Sequence, residues 1–229
     1  MLGPAWTLER SHALTTLLPL ALYFIVLAFL LAQLCVGLAL GHRLRRASSE
    51  ISDPGALRWL NWHALAMGFD RAPVRAESES VSVPLTLGVL RPMVLIPSGW
   101  RDWESTKLSA VIAHELSHVK RKDTLTRALS LIYRSVFWFS PLGWWLQHRL
   151  ADLAEQASDA AAVRAGVDPT YYAEVLMSFF RTISNSHGRV NLPGVAIARG
   201  ARAQKRIEKL LTPGGKSLRA LNAFAQGLP

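Results

Sequence analysis

Leu108-Ser109-Ala110-Val111-Ile112-Ala113-His114-Glu115-Leu116-Ser117-His118-Val119 is the stretch from which the rest of this chain is read. Leu108, Val111, Ile112, Leu116 and Val119 recur at helical spacing, so the segment reads as an amphipathic helix. On a helix, residues four apart lie about 40° apart around the axis, so His114 and His118 project from one face and can share one metal ion. Glu115 stands beside them, placed to take a proton from a metal-bound water. Zinc suits two neutral imidazoles plus a carboxylate. The pattern is that of a zinc-dependent hydrolase, most often one that cuts peptide bonds. The competing explanation, a polar patch on a surface helix, does not account for so apolar a lead-in.

The chain has 229 residues, 50% hydrophobic and 18% charged, enough for one ordinary domain plus a membrane element. Residues 14–41 carry no charge across 28 positions. About 20 apolar residues cross a bilayer as a helix, so this stretch reads as a transmembrane helix. A cleavable signal would have a shorter apolar core and a basic start. Arg43, Arg45 and Arg46 follow the span, whereas Glu9 and Arg10 before it cancel. The positive-inside rule therefore places residues 1–13 outside, and residues 42–212 as a domain facing the cytoplasm at the cell membrane. The formal charge of +10 lies wholly in that second part, as expected for a body beside anionic lipid. No motif supports nucleic-acid binding. The single Cys35 lies in the span, so no disulfide forms within the chain.

Beyond the span, residues 56–67 read as a helix, and residues 81–97 as two short strands broken by Gly88 and Pro92. Pro84 and Pro92 suit an edge strand, which in zinc peptidases often receives substrate backbone as an added strand. The motif helix is expected from Ser105 or Thr106 through Asp123. Residues 128–146 are apolar again, but Arg134 and Pro141 argue against a second span. Two crossings need about 40 residues, more than the 36 between His118 and Glu155. The expectation is an amphipathic hairpin turning at Ser140-Pro141 and dipping its tryptophans into the membrane interface.

A third ligand is required. A metzincin would place glycine and histidine where Arg121 and Thr124 stand. The gluzincin alternative takes a glutamate from a later helix, and residues 146–165 form one that ends at Gly166. Glu155 and Asp159 share a face of it, so Glu155 can bind zinc while Asp159 fixes the tautomer of a ligand histidine. His148, Asp152 and Glu174 are the rivals. For stabilising an oxyanion, Tyr171, Tyr172 and His148 are all available. Residues 168–183 read as a helix opened by Asp168-Pro169, with Tyr172, Val175, Leu176, Phe179 and Ile183 towards the core.

His114 to Asp123, then Trp138-Phe139-Ser140-Pro141-Leu142-Gly143-Trp144, Glu155-Gln156-Ala157-Ser158-Asp159 and Arg206-Ile207-Glu208-Lys209-Leu210-Leu211, fall in the order seen in BlaR/MecR-type membrane zinc peptidases. Val83-Pro84 to Gly88 and Arg91-Pro92 to Pro97 resemble the proline-flanked strand before their metal helix. The resemblance covers residues 20–212. It implies an α+β, mostly helical gluzincin domain in a membrane protein whose relatives sense beta-lactams and act on a repressor. Carried over by position, it makes His114, His118 and Glu155 ligands of Zn2+, Glu115 the general base and Asp159 an outer carboxylate. Ser140 and Ser158 stand where relatives have Asn and Cys. Relatives carry several transmembrane helices, whereas one is clear here. Residues 213–229 read as a tail too short for a further span or an external sensor, which leaves three expectations open: a minimal peptidase, one driven by a partner sensor subunit, or a truncated gene product.

The expected function is a membrane-anchored zinc endopeptidase cutting a protein or peptide substrate in signal transduction, a transcriptional repressor among the candidates. Two other readings compete. One is a peptidase similar to the HtpX or prenyl-protease group; the other is a non-catalytic zinc-binding membrane module, against which Glu115 speaks. Residues 199–219 hold seven basic residues against one acidic, and read as a solvated or lipid-facing surface rather than a nucleic-acid site.

Overall fold

The computed structural model describes residues 5–70, 72–186 and 204–211. Helix α1 (Ala5–Arg46) is 42 residues long and contains Pro19. Its segment Leu17–Arg46 is, among the described residues, the helix long and apolar enough to cross a membrane. Strand β1 (Ser49–Glu50) and helix α2 (Pro54–Ala66) follow, α2 opening where Asp53 accepts from the Ala56 N–H at 2.6 Å. Next come strands β2 (Val74–Ser78), β3 (Leu85–Leu87) and β4 (Met93–Pro97), and a single 3-10 turn (Ser98–Asp102). Helices α3 (Ser105–Lys120), α4 (Asp123–Val136), α5 (Pro141–Arg164) and α6 (Pro169–Ser186) complete the body. Residues 204–211 form a further helix, α7. The result is mostly helical with one small mixed sheet, an α+β fold.

The sheet order is β1-β2-β4-β3, with β2 and β4 parallel and the other two pairs antiparallel. Every residue of β4 from Met93 to Ile96 is buried. Such a continuous apolar run marks a strand covered on both faces. The expected strands thus shift. Residues 81–84 and Val89 lie outside any strand, β3 takes the edge, and β4 is central despite Pro92. Pro92 precedes β4 by one residue, so its missing N–H costs no ladder bond. Both β1 and β2 went unforeseen; at two and five residues, with Arg75 and Glu77 in the longer one, they carry little apolar alternation.

Helix α3 lies at the centre because it has two apolar faces. Ile112, Leu116 and Val119 pack with Leu60, Val94, Ile96 and Trp100 from α2 and the sheet side. Ala110 packs with Ala162, Val167, Tyr172 and Leu176 from the α5 and α6 side. Small side chains let α3 and α5 approach closely enough for Ser117 Oγ to donate to Ser158 Oγ at 2.7 Å, both buried. Residue 158 therefore joins the two helices of the candidate site.

The expected run of α3 through Asp123 is corrected: the helix stops at Lys120, and Lys122 turns the chain with φ 55° and ψ 40°. Nothing in Arg121-Lys122 announces such a left-handed residue, which costs a side-chain-bearing residue about 1–2 kcal/mol. Lys122→Gly is accordingly expected to raise stability by about 0.5–1 kcal/mol, after the glycine's greater freedom in the unfolded chain is deducted. Denaturant midpoints of the two proteins in detergent check this; a lower midpoint for the glycine variant refutes it. Helix α5 also starts earlier than expected, at Pro141, where the fixed proline φ suits a first helical residue. It ends at Gly166 with φ 90° as read from sequence. Residues 1–4, 187–203 and 212–229 lie outside the described residues, and with them the C-terminal tail and the start of the basic segment.

Candidate metal centre

Helices α3 and α5 bring His114, His118 and Glu155 together, with one ligand atom of each within 4.8 Å of the others. The two Nε2 atoms are 3.2 Å apart, and Glu155 Oε2 and Oε1 lie 3.8 Å from His114 Nε2 and His118 Nε2 respectively. A tetrahedral ion with bonds of about 2.0–2.1 Å separates its ligand atoms by about 3.3–3.4 Å. The donor set therefore fits such an ion, with two soft-to-borderline nitrogens and one carboxylate around a common point. Among the described residues this is the one cluster of three such groups. His148, Asp152 and Glu174 are not in it.

Each imidazole is held by its outer nitrogen. His118 Nδ1 is 2.8 Å from Asp123 Oδ2, the residue that opens α4 just after the Lys122 turn. His114 Nδ1 is 2.8 Å from Tyr172 Oη, which in turn donates to Asp159 Oδ1 at 3.0 Å. The direct His114 Nδ1 to Asp159 Oδ1 distance is longer, 3.4 Å. A proton on Nδ1 of each ring satisfies these partners and leaves both Nε2 lone pairs facing Glu155. Asp159 thus sits where the sequence suggested, but reaches His114 mainly through Tyr172. That tyrosine is 1% exposed. Its hydroxyl is engaged there and is not available as an oxyanion donor. Tyr171 is likewise committed, donating to Glu104 at 2.8 Å, and His148 Nδ1 contacts the Trp144 carbonyl at 2.7 Å.

Glu115 is buried on the same helix. Thr86 of edge strand β3 donates to Glu115 Oε2 at 2.7 Å and lies 3.2 Å from the Glu115 carbonyl. This contact ties the position of β3 to that of the carboxylate.

Arg206 is the participant that sequence reading did not place. Its Nε and Nη2 bind Asp159 Oδ2 and Oδ1 at 2.9 and 2.6 Å, and Nη1 binds Glu155 Oε2 at 2.8 Å. One guanidinium from α7 therefore spans Glu155 and Asp159 of α5 and leaves Glu155 Oε1 without a hydrogen bond among the described residues. The only sequence signal was the Arg206-Ile207 box near the end of the family resemblance. Arg121 plays a related part, bonding Asp123, Ser117, Ser158 and the Ala154 carbonyl at 2.6, 3.0, 2.7 and 3.0 Å.

These contacts set the charges. Burial would raise the Asp159 carboxyl, but His114 and Arg206 outweigh it and hold it far below the usual range. Burial would lower Arg206, but Asp159 and Glu155 raise it. For the metal-free His114, burial pulls down while Asp159, Glu115 and Glu155 pull up, and the carboxylates prevail. Tyr172 is pushed well above its ordinary value, first by burial and then by Asp159. Asp123 is lowered because His118 and Arg121 overcome its burial.

Known proteins are similar to this chain in sequence. Regulatory protein BlaR1 of Bacillus licheniformis is 26% identical over 156 residues, covering 67% of this chain and 26% of the relative. Methicillin resistance mecR1 proteins of Staphylococcus aureus (strain Mu50) and Staphylococcus epidermidis are each 29% identical over 65 residues, covering 28% of this chain and 11% of the relative. The chain spans about a quarter of the length of the BlaR1 relative, and less of the others. The family described as BlaR1 peptidase M56 matches residues 5–210, which takes in α1, both ligand helices and Arg206. The chain belongs to the BlaR1 peptidase M56 family.

Proposed function

We propose that this chain is a membrane-anchored zinc endopeptidase whose catalytic body faces the cytoplasm. The observation that carries the reading is the convergence of His114 Nε2, His118 Nε2 and Glu155 beside the buried Glu115. Zinc held by these three groups would polarise a peptide carbonyl and make its bound water acidic near neutral pH. Glu115 accepts the proton of the attacking water and delivers it to the departing amide nitrogen. Thr86 orients that carboxylate. The outer edge of β3 pairs with no strand among the described residues, so an extended peptide added there runs past Glu115. Asp123, Tyr172 and Asp159 keep both imidazoles in the ligating tautomer. Arg43, Arg45 and Arg46 at the end of α1 favour the cytoplasmic side for the body. The similarity to proteins named BlaR1 and mecR1 supports a regulatory protein, such as a repressor, as substrate and a sensor as partner.

The test is zinc content and peptide cleavage of the detergent-purified chain beside its His118→Ala variant. About one zinc per chain in the parent and none in the variant, with cleavage that a chelator stops and zinc restores, is the expected result. A parent that holds no zinc refutes the reading.

Tyr172→Phe removes the hydroxyl between His114 and Asp159, and zinc affinity is expected to fall about 10–100-fold. Competition with a coloured chelator measures it; unchanged affinity would show the hydroxyl to be idle. Protons compete with zinc for His114, whose metal-free value is raised above 6.5. Zinc affinity is therefore expected to begin falling while the pH is still above 6.5 and to drop by about tenfold per unit below it. The same titration at pH 8, 7 and 6 checks the direction.

A further inference from the structure

We propose that α4 and α5 form a re-entrant membrane hairpin, its tip in the hydrocarbon beside α1 and its exposed apolar face covered by lipid acyl chains. This rests on α1 spanning the bilayer. A span of about 20 residues drawn anywhere within the uncharged stretch 14–41 includes Tyr23. Tyr23 Oη donates to the Val136 carbonyl at the end of α4 at 3.0 Å, and its ring lies 6.5 Å from that of Phe139. The hairpin tip is therefore level with a residue that every placement of α1 buries in lipid.

Most polar groups there find partners within the protein, as a solvent that offers no hydrogen bonds requires. The last carbonyls of a helix lack intrahelical partners, and a lone tyrosine hydroxyl in hydrocarbon lacks water; each answers the other. At the turn, the Ser140 N–H donates to the Phe137 carbonyl at 2.9 Å and Trp144 Nε1 to the Trp138 carbonyl at 2.8 Å. Pro141, first in α5, has no N–H to satisfy. Ser130 and Ser135 return their hydroxyls to the Arg127 and Leu131 carbonyls. Arg134, the one charged residue in 128–147, donates to Gln147 at 2.9 Å and lies over the Trp144 ring. Among described side chains of the hairpin, Arg134 Nε and Trp138 Nε1 are the buried donors without a protein partner. Leu129, Ile132, Phe139, Leu142 and Trp145 are exposed, as are leucines and phenylalanines of α1.

Length decides that the hairpin enters and leaves on one side. From Asp123 to Val136 α4 rises about 20 Å, and α5 descends about 21 Å from Pro141 to Glu155, both short of a hydrocarbon layer of about 30 Å. Asp123 and Glu155 then meet at the metal centre. Leu44, near the end of α1, packs with Leu85 and Leu87 of β3, so the sheet beside that centre is level with the end of the uncharged stretch of α1. The centre accordingly lies at the membrane boundary, within reach of peptide emerging from the bilayer.

Spin labels test this in the full chain, with Cys35→Ser removing the native thiol. Single cysteines replace Phe139 and Trp145 on the hairpin, which are 63% and 60% exposed, so either label leaves the core intact. Phe29→Cys reports on α1 and Leu90→Cys, at a site 91% exposed, on the water side. In phosphatidylcholine–phosphatidylglycerol vesicles, collisions with oxygen (lipid-soluble) are compared with those of a nickel chelate (water-soluble). The oxygen-to-nickel ratio at 139 and 145 is expected within about twofold of that at 29, and far above that at 90. Water-like ratios at 139 and 145 with a lipid-like ratio at 29 overturn the hairpin proposal and spare α1. A water-like ratio at 29 overturns the α1 reading and this proposal with it. Shielding of 139 and 145 from both reagents shows a protein cover rather than lipid, and overturns it too.

Discussion

Glu115→Gln is expected to keep its zinc and lose peptide hydrolysis by a factor of about 10²–10⁴, the range ascribed to a positioned general base. Glutamine has the same shape and still accepts from Thr86 through its amide oxygen, so the packing of α3 against β3 survives. What it cannot do is take up a proton. The result is read from two measurements on one preparation, zinc per chain and the single-turnover rate on a peptide cleaved by the parent. Hydrolysis that persists removes Glu115 from the base role. Zinc lost together with activity would instead make Glu115 a ligand. Neither loss alone is reproduced by a merely unfolded protein, because folded zinc content is the control.

Arg206→Met is expected to cost the metal-free protein about 3–5 kcal/mol of folding stability, the range for removing one partner of a buried ion pair. The guanidinium is 17% exposed and Asp159 6%, so solvent screens the pair weakly. The cost arises less from the lost attraction than from leaving Asp159 enclosed with Glu155 nearby and no fixed cation. Zinc supplies positive charge close by, so the deficit should shrink in the metal-loaded form. Arg206→Lys recovers only part of it, since one ammonium cannot span both carboxylates as the planar fork does. Denaturant unfolding in detergent, with chelator and with zinc, gives both numbers. A metal-free loss below about 1 kcal/mol would place this pair with ordinary surface salt bridges.

The lowered Asp159 carboxyl adds a sign to that measurement. A group depressed in the folded state contributes stability above its unfolded value near 3.8 and loses it as pH falls through the folded value. The Arg206→Met deficit is therefore largest at neutral pH.

Legibility followed range. His114 and His118, four apart on one helix, could be paired from the helical repeat alone. Glu155 and Asp159 share a face for the same reason, and the structure brings the former to the histidines. Helix α6 and the end of α5 were marked by Asp168 and Gly166, residues whose local chemistry begins or ends a helix. The Lys122 turn carries no such mark, because its left-handed backbone is imposed by α4 folding back so that Asp123 meets His118. Tyr172 looked like packing because its ring is packing; only its hydroxyl reaches the site. Arg206 was seen as one basic residue among seven, and nothing local separates a buried cation from solvated neighbours. Strand β2 owes its place to pairing with β4 and β1 to pairing with β2, and a strand of two residues has no pattern of its own.

The Arg206 fork also imposes an order on manufacture. The arginine follows Asp159 by 47 residues. At about 5–20 residues per second, a ribosome delivers the carboxylate about 2–9 s before the cation that neutralises it. Through that interval α5 cannot bury its charged face beside α3 without an unpaired anion. The nascent chain thus has its ligands long before it has the means to settle them, and the cleft is finished only as α7 leaves the exit tunnel.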